Sequence, residues 1–153
     1  ERILIAIALA CNPDLIIADE PTAGLDALVK AQTLRLLSQV MQGRTLLLIT
    51  HDLGTASALA SRTAVLYAGE IVEYGPTRDL FAHPRHPYTQ GLLASSPSAG
   101  FHPIPGMSPA PGQVPPGCRF CPRCSCTTAR CSSVHPLLKQ AGNDRQVRCL
   151  RYD

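Results

Sequence analysis

Apolar positions along this chain follow the two periods that distinguish helices from strands. Residues 1–11 are apolar with helical tolerance, and residues 15–18 (Leu-Ile-Ile-Ala) form a short continuous apolar run. Over residues 27–41, Leu28, Ala31, Leu34, Leu37 and Met41 recur at helical spacing, so the chain opens as helix, strand, helix. A second apolar strand is predicted at residues 45–50, followed by a small-residue helix over 52–60 and a third strand over 63–67. Strands this uniformly apolar, alternating with helices, predict a parallel sheet covered on both faces, since a half-exposed strand would alternate polar and apolar residues. The class is α/β. Residues 70–74, closed by Gly75-Pro76, read as a last strand. Thr77 is set to cap a short helix through Phe81, and another helix is predicted over 87–94.

Beyond that the pattern stops. Residues 97–116 hold seven prolines and three glycines, which fix backbone angles and remove amide donors, so neither helix nor ladder is expected. This is a linker. The segment after Gly117 is too short and polar to build a core without a staple. Six of the seven cysteines lie in it: Cys118, Cys121, Cys124, Cys126, Cys131 and Cys149. With no secretory leader visible, thiolate metal ligation is a better expectation than a disulfide framework.

Charge changes the picture at the same point. Residues 1–117 carry seven Lys/Arg against nine Asp/Glu, and residues 118–153 carry seven against two. A basic tail could meet nucleic acid, but Phe120 and Tyr152 are its only aromatics, so a base-stacking platform is poorly supported and a solvated basic face is the simpler expectation. No apolar run reaches the length of a bilayer span. The chain begins at Glu1, inside an apparent helix, and reads as part of a longer protein.

Candidate chemistry sits at the strand ends. Leu15-Ile-Ile-Ala-Asp19-Glu20-Pro21 delivers two carboxylates at the carboxyl end of an apolar strand, where parallel α/β sheets bind ligands. Two such acids can divide work, the first holding magnesium and the second orienting or deprotonating a water. His51 follows the second strand.

Taken together, residues 15–21 resemble the Walker B strand of ATP-binding cassette (ABC) ATPases, Ala23-Gly-Leu-Asp26 their D-loop, and Leu48-Ile-Thr-His51-Asp52 their switch-histidine strand. Order and spacing match over residues 1–75. The resemblance implies a partial P-loop NTPase fold with a parallel sheet, and an ATPase using ATP and Mg2+. By it, Asp19 contacts the magnesium shell, Glu20 is the base for water attack on the γ-phosphate, His51 contacts that phosphate, and Asp26 bridges to a second cassette subunit. No G-x-x-x-x-G-K-[ST] loop occurs in these residues, so the backbone cradle and lysine for the phosphates are missing from them. The signature motif is missing too. In the family it precedes an Arg-containing apolar helix, a position that Glu1-Arg2-Ile3-Leu4 fits, so roughly half of the cassette is expected upstream. These residues alone are expected neither to bind nor to hydrolyse ATP appreciably.

Residues 83–93, with His86-Pro87-Tyr88-Thr89, are similar to the His-Pro-Tyr-Thr element after the cassette in the dipeptide, oligopeptide and nickel importer family. Read from its residues alone, the element is a proline-started helix, and a metal site at His83 and His86 is disfavoured because proline follows each histidine. The tail resembles that family's terminal extension, with cysteines at C-x5-C-x6-C-x17-C, which implies Cys118, Cys124, Cys131 and Cys149 as ligands of a [4Fe-4S] cluster, with Zn2+ as the alternative. Cys121 and Cys126 depart from the family pattern and create alternative ligand sets. The organisation expected is therefore a cassette half over 1–75, a helical extension over 76–94, a Pro/Gly-rich linker over 95–117 and an irregular Cys-rich, metal-binding tail over 118–153. The resemblance implies a peripheral subunit on the cytoplasmic face of the cell membrane, paired with a second ATPase subunit and permease subunits, and served indirectly by an extracytoplasmic solute-binding protein. No nucleic acid is expected. Peptide uptake is the leading function. The alternatives are a nickel or other small-solute importer, and a soluble cassette ATPase with a zinc or nucleic-acid-binding tail.

Overall fold

The computed structural model describes residues 2–110, 112–142 and 144–153. Glu1, which the sequence reading puts at the head of the first helix, lies outside the described residues, as do Pro111 of the linker and Asn143 of the tail. The chain divides into two compact units, residues 1–60 and 61–153, where the sequence reading grouped 1–75.

The first unit runs α1 (Arg2–Leu9), β1 (Leu15–Asp19), α2 (Ala27–Val40), β2 (Thr45–Ile49) and α3 (Leu53–Leu59). β1 and β2 pair in parallel, from Leu15 opposite Thr45 to Asp19 opposite Ile49, and α2 is the crossover that parallel pairing requires. Asp26 caps α2, its Oδ1 accepting the amides of Leu28 and Val29 at 2.9 Å. Asp52 caps α3 by accepting from Gly54 and Thr55. Each cap satisfies amides that the first helical turn leaves unpaired. The expectation of two covered faces meets a different outcome within the unit. Leu15, Ile17, Leu47 and Ile49 each retain 48–61% exposure, while Ile16, Ala18, Leu46 and Leu48 are partly covered. The pleat alternates these two sets.

The second unit contains β3 (Arg62–Tyr67), β4 (Glu70–Pro76), α4 (Thr77–Ala82), α5 (Pro87–Ala94), α6 (Ala129–Ser133), β5 (Lys139–Gln140) and β6 (Gln146–Val147). Its sheet has the order β3-β4-β6-β5, and every pairing in it is antiparallel. The third strand of the sequence reading therefore does not extend the parallel sheet. The reason is the two-residue turn Ala68-Gly69, with φ of 48° and 81°, which reverses the chain at once. Thr77 also differs from expectation. It is the first residue of α4 and its hydroxyl meets that of Thr63 at 2.8 Å, while Pro76 holds the cap position.

The tail is not wholly irregular. β6 pairs with β4 through Val147 opposite Glu73 and Gln146 opposite Tyr74, and Phe120 lies in the core with Val65, Tyr67, Val72 and Leu80. Phe120 meets Tyr67 edge-on at 5.1 Å and Tyr88 at 5.5 Å between ring centroids, geometries that aromatic quadrupoles favour. Among its described residues the linker has neither long helix nor ladder, yet Arg123 holds it by donating to the carbonyls of Pro105 (2.9 Å) and Ile104 (3.2 Å) and to Ser108 Oγ (3.0 Å). Among the described residues no helix is long and apolar enough to cross a membrane.

Candidate functional site

Parallel register brings the ends of β1 and β2 level, so the residue after each strand becomes a neighbour of the other. Glu20 donates its amide to Ile49 O at 2.9 Å. It adopts a left-handed backbone conformation, φ 46°, which costs a non-glycine residue about 1–3 kcal/mol and is found preferentially at functional sites. Its side chain then meets His51: Glu20 Oε1 accepts from the His51 amide at 2.8 Å and lies 2.6 Å from His51 Nδ1. Oε2 accepts the Thr50 hydroxyl at 3.2 Å. A carboxylate accepts only, so Nδ1 carries the proton in this pair and Nε2 is left free on a ring whose side chain is 83% exposed. The His51 hydrogen bond holds the Glu20 carboxyl below the usual carboxylate range, against the opposing pull of desolvation.

Of the residues singled out in the sequence, the structure thus brings together Glu20 and His51. Asp19 ends β1 with its side chain exposed. Asp26 is the cap of α2. Sequence reasoning missed the support around them. Thr50 binds Glu20, Lys30 forms an ion pair with Asp52, and the hydroxyls of Thr22 and Thr55, both buried, meet at 3.3 Å. The signal for the two caps was present, since an aspartate stands directly before each helical run.

The tail cysteines form a second candidate site. Burial raises the Cys118, Cys124 and Cys149 thiols, Cys124 to about 11. A hydrogen bond from Thr128 lowers that of Cys131. Lesser charge couplings link Cys118 to Cys131 and Cys149, and Cys124 to Cys118, Cys149 and Cys126. Amides donate to two of the sulfurs, Cys126 N to Cys124 Sγ and Thr128 N to Cys131 Sγ, both at 3.4 Å. Cys121 turns to the Thr127 hydroxyl at 3.1 Å. Thiols are the donor chemistry that iron-sulfur and zinc centres use. Among the described residues no three Cys, His, Asp or Glu side chains converge on a site for a single metal ion.

His86 is buried and neutral, its group pushed down to about 4 mainly by desolvation, and its Nδ1 accepts the Tyr88 amide at the start of α5. A capping nitrogen cannot also ligate a metal.

A family model described as the oligopeptide/dipeptide transporter, C-terminal region, matches residues 72–131. The oligopeptide transport ATP-binding protein AppD of Bacillus subtilis (strain 168) is 46% identical over 160 residues, covering 100% of this chain and 49% of that protein. The dipeptide transport ATP-binding protein DppD of the same organism is 42% identical, covering 100% and 48%. A putative peptide import ATP-binding protein of Brucella ovis is 42% identical over 165 residues, covering 99% and 49%. The chain spans about half the length of the curated relatives it matches.

Proposed function

We propose that this chain, which belongs to the oligopeptide/dipeptide transporter family of ATP-binding proteins, supplies the water-activating part of an ATPase that drives peptide uptake. The observation that carries the reading is the Glu20–His51 pair at the carboxyl edge of two parallel strands. Phosphoryl transfer to water needs placed charge and an oriented nucleophile more than covalent help. In this reading Glu20, ionised and held by His51 and Thr50, accepts the proton of the attacking water through its less occupied Oε2. His51 is fixed through Nδ1 and, as the imidazolium, donates its exposed Nε2–H to the γ-phosphate. Asp19 offers exposed oxygen donors of the kind the hard magnesium ion prefers. Asp26 faces the partner ATPase subunit, and permease subunits receive the motion at the cytoplasmic face of the membrane.

The test is made in the complete ATPase. Glu20→Gln is expected to keep ATP affinity while lowering turnover by roughly a hundredfold or more, the scale of losing a general base. Turnover near the parental rate would make Glu20 structural only.

For the tail, the reading is that Cys118, Cys124, Cys131 and Cys149 hold a [4Fe-4S] cluster, with zinc as the competing occupant. Thiolates suit both, and amide N–H groups on two of the sulfurs suit a cluster, whose properties such bonds tune. When bound it would supply cross-linking and a redox-sensitive constraint. The chain's own part is to supply half-buried thiols that release their protons on ligation. Iron, sulfide and zinc analysis after anaerobic purification decides, and stoichiometric zinc without sulfide would defeat the cluster.

A further inference from the structure

The carboxylate of Asp52, directly after His51, does more than cap a helix. Oδ1 accepts the amides of Gly54 at 2.8 Å and Thr55 at 3.3 Å, which is all that a cap needs. Oδ2 is engaged separately, by the Lys30 ammonium and by the Thr55 hydroxyl at 3.1 Å. With its proton donated to Asp52, the buried Thr55 oxygen accepts from the Thr22 hydroxyl at 3.3 Å. On the other side the Asp52 amide donates to Thr50 Oγ1 at 3.1 Å, and Thr50 donates to Glu20. The contacts close a ring: Glu20, Thr50, Asp52, Thr55, and Thr22, two residues beyond Glu20. Lys30 enters this ring from the first turn of α2, the helix that Asp26 caps.

We infer that Lys30 is a positioning residue for the Glu20–His51 pair. Through Asp52 it fastens the His51 segment to α2 and to the turn that precedes it, so the alignment of His51 with Glu20 depends on where α2 stands. The inference rests on the reading of Glu20 and His51 as hydrolytic groups. Both partners of the ion pair keep about 30% side-chain exposure, and pairs that wet contribute little to stability. A large effect on turnover would therefore come from alignment, where small displacements are costly.

The experiment uses the complete ATPase with ATP. Lys30→Met is expected to lower kcat about tenfold, leave KM for ATP within about twofold, and move the unfolding midpoint by only a few degrees. Lys30→Arg should recover most of the rate, and Asp52→Asn, which keeps an oxygen for the cap, should show the same loss as Lys30→Met. In a Glu20→Gln background Lys30→Met should add no further loss, because its effect passes through that pair. Parental kcat in Lys30→Met, together with collapse in Glu20→Gln, overturns this inference and leaves the hydrolytic reading standing. Parental kcat in Glu20→Gln overturns the hydrolytic reading itself. Loss that multiplies with Glu20→Gln, or that follows the unfolding midpoint and KM, assigns Lys30 a structural role and also overturns the inference.

Discussion

In residues 61–153 many charged side chains are engaged by partners within the unit, and in residues 1–60 Asp19 and His51 stay exposed. Arg145 donates to Glu73 at 2.5 Å and to His83 O at 2.8 Å. Arg148 donates to Ile71 O and Pro136 O, Arg119 pairs with Glu70, and Arg130 and Lys139 pair with Asp153. The excess of cations that made the tail look like a basic face is thus largely consumed as internal fastening. The first unit instead leaves Asp19 and His51 exposed, keeps half-open apolar positions on one face of its sheet, and holds Glu20 in a strained backbone conformation. Charge that is already neutralised by its own chain is poor at recruiting ligands, and charge held open is poor at stabilising a fold.

The sharpest way to break this contrast is Arg145→Met. Glu73 is fully buried and its oxygens also accept the Arg85 and His86 amides, so removing the cation strands a buried carboxylate at a cost of about 3–5 kcal/mol. Thermal unfolding measures it, and Glu73→Gln combined with Arg145→Met, which removes the charge but keeps an acceptor for the two amides, should recover much of the loss. Acid comes next. His86 has a folded value of about 4 against 6.5 when free, so the folded state binds fewer protons. Its contribution is fully present above pH 6.5 and is lost as pH falls toward 4, to a total of about 3 kcal/mol. Unfolding midpoints in His86→Asn should fall less steeply across that window than in the parent. Glu20→Gln, by contrast, should leave stability within about 0.5 kcal/mol while it slows turnover in the complete ATPase. A similar stability loss at both sites would erase the distinction between the units. Asp26→Ala, which removes the α2 cap, is expected to cost about 1 kcal/mol by chemical denaturation.

How much of this was legible depended on the range of the signal. The helix over Pro87–Ala94 and the strands at 15–19 and 45–49 followed from local pattern. The hairpin was legible too, since Ala68-Gly69 allows no crossover between the strands on either side, but apolar composition argued for a parallel partner and outweighed the turn. What could not be seen were pairings across long gaps. Nothing in the run around Arg145 announces Glu73, and nothing around Phe120 announces Tyr67, because both need the chain to return over distances that periodicity does not encode. The Glu20–His51 meeting was readable only through motif order, whereas Lys30, Thr22 and Thr55 look like ordinary helix and turn residues until register is known. The tail misled through its composition. A polar, cysteine-rich segment suggests an irregular tail with no core of its own, yet Phe120, Ala141 and Val147 are buried and β6 joins the sheet.

Gly75 shows how closely that last strand approaches: a Cβ there would stand 2.8 Å from Arg145 Cγ. Glu73 and Arg145 are 72 residues apart, an interval that a ribosome elongating at about 5–20 residues per second takes about 4–14 seconds to cover. During that interval β4 is a nascent strand with an open edge, and its carboxylate has no counterion to fold around. The second unit must wait for nearly the whole of its own length to be translated before Glu73 meets Arg145. Nascent chains halted before Arg145 are therefore the form of this protein that chaperones and proteases should recognise most readily.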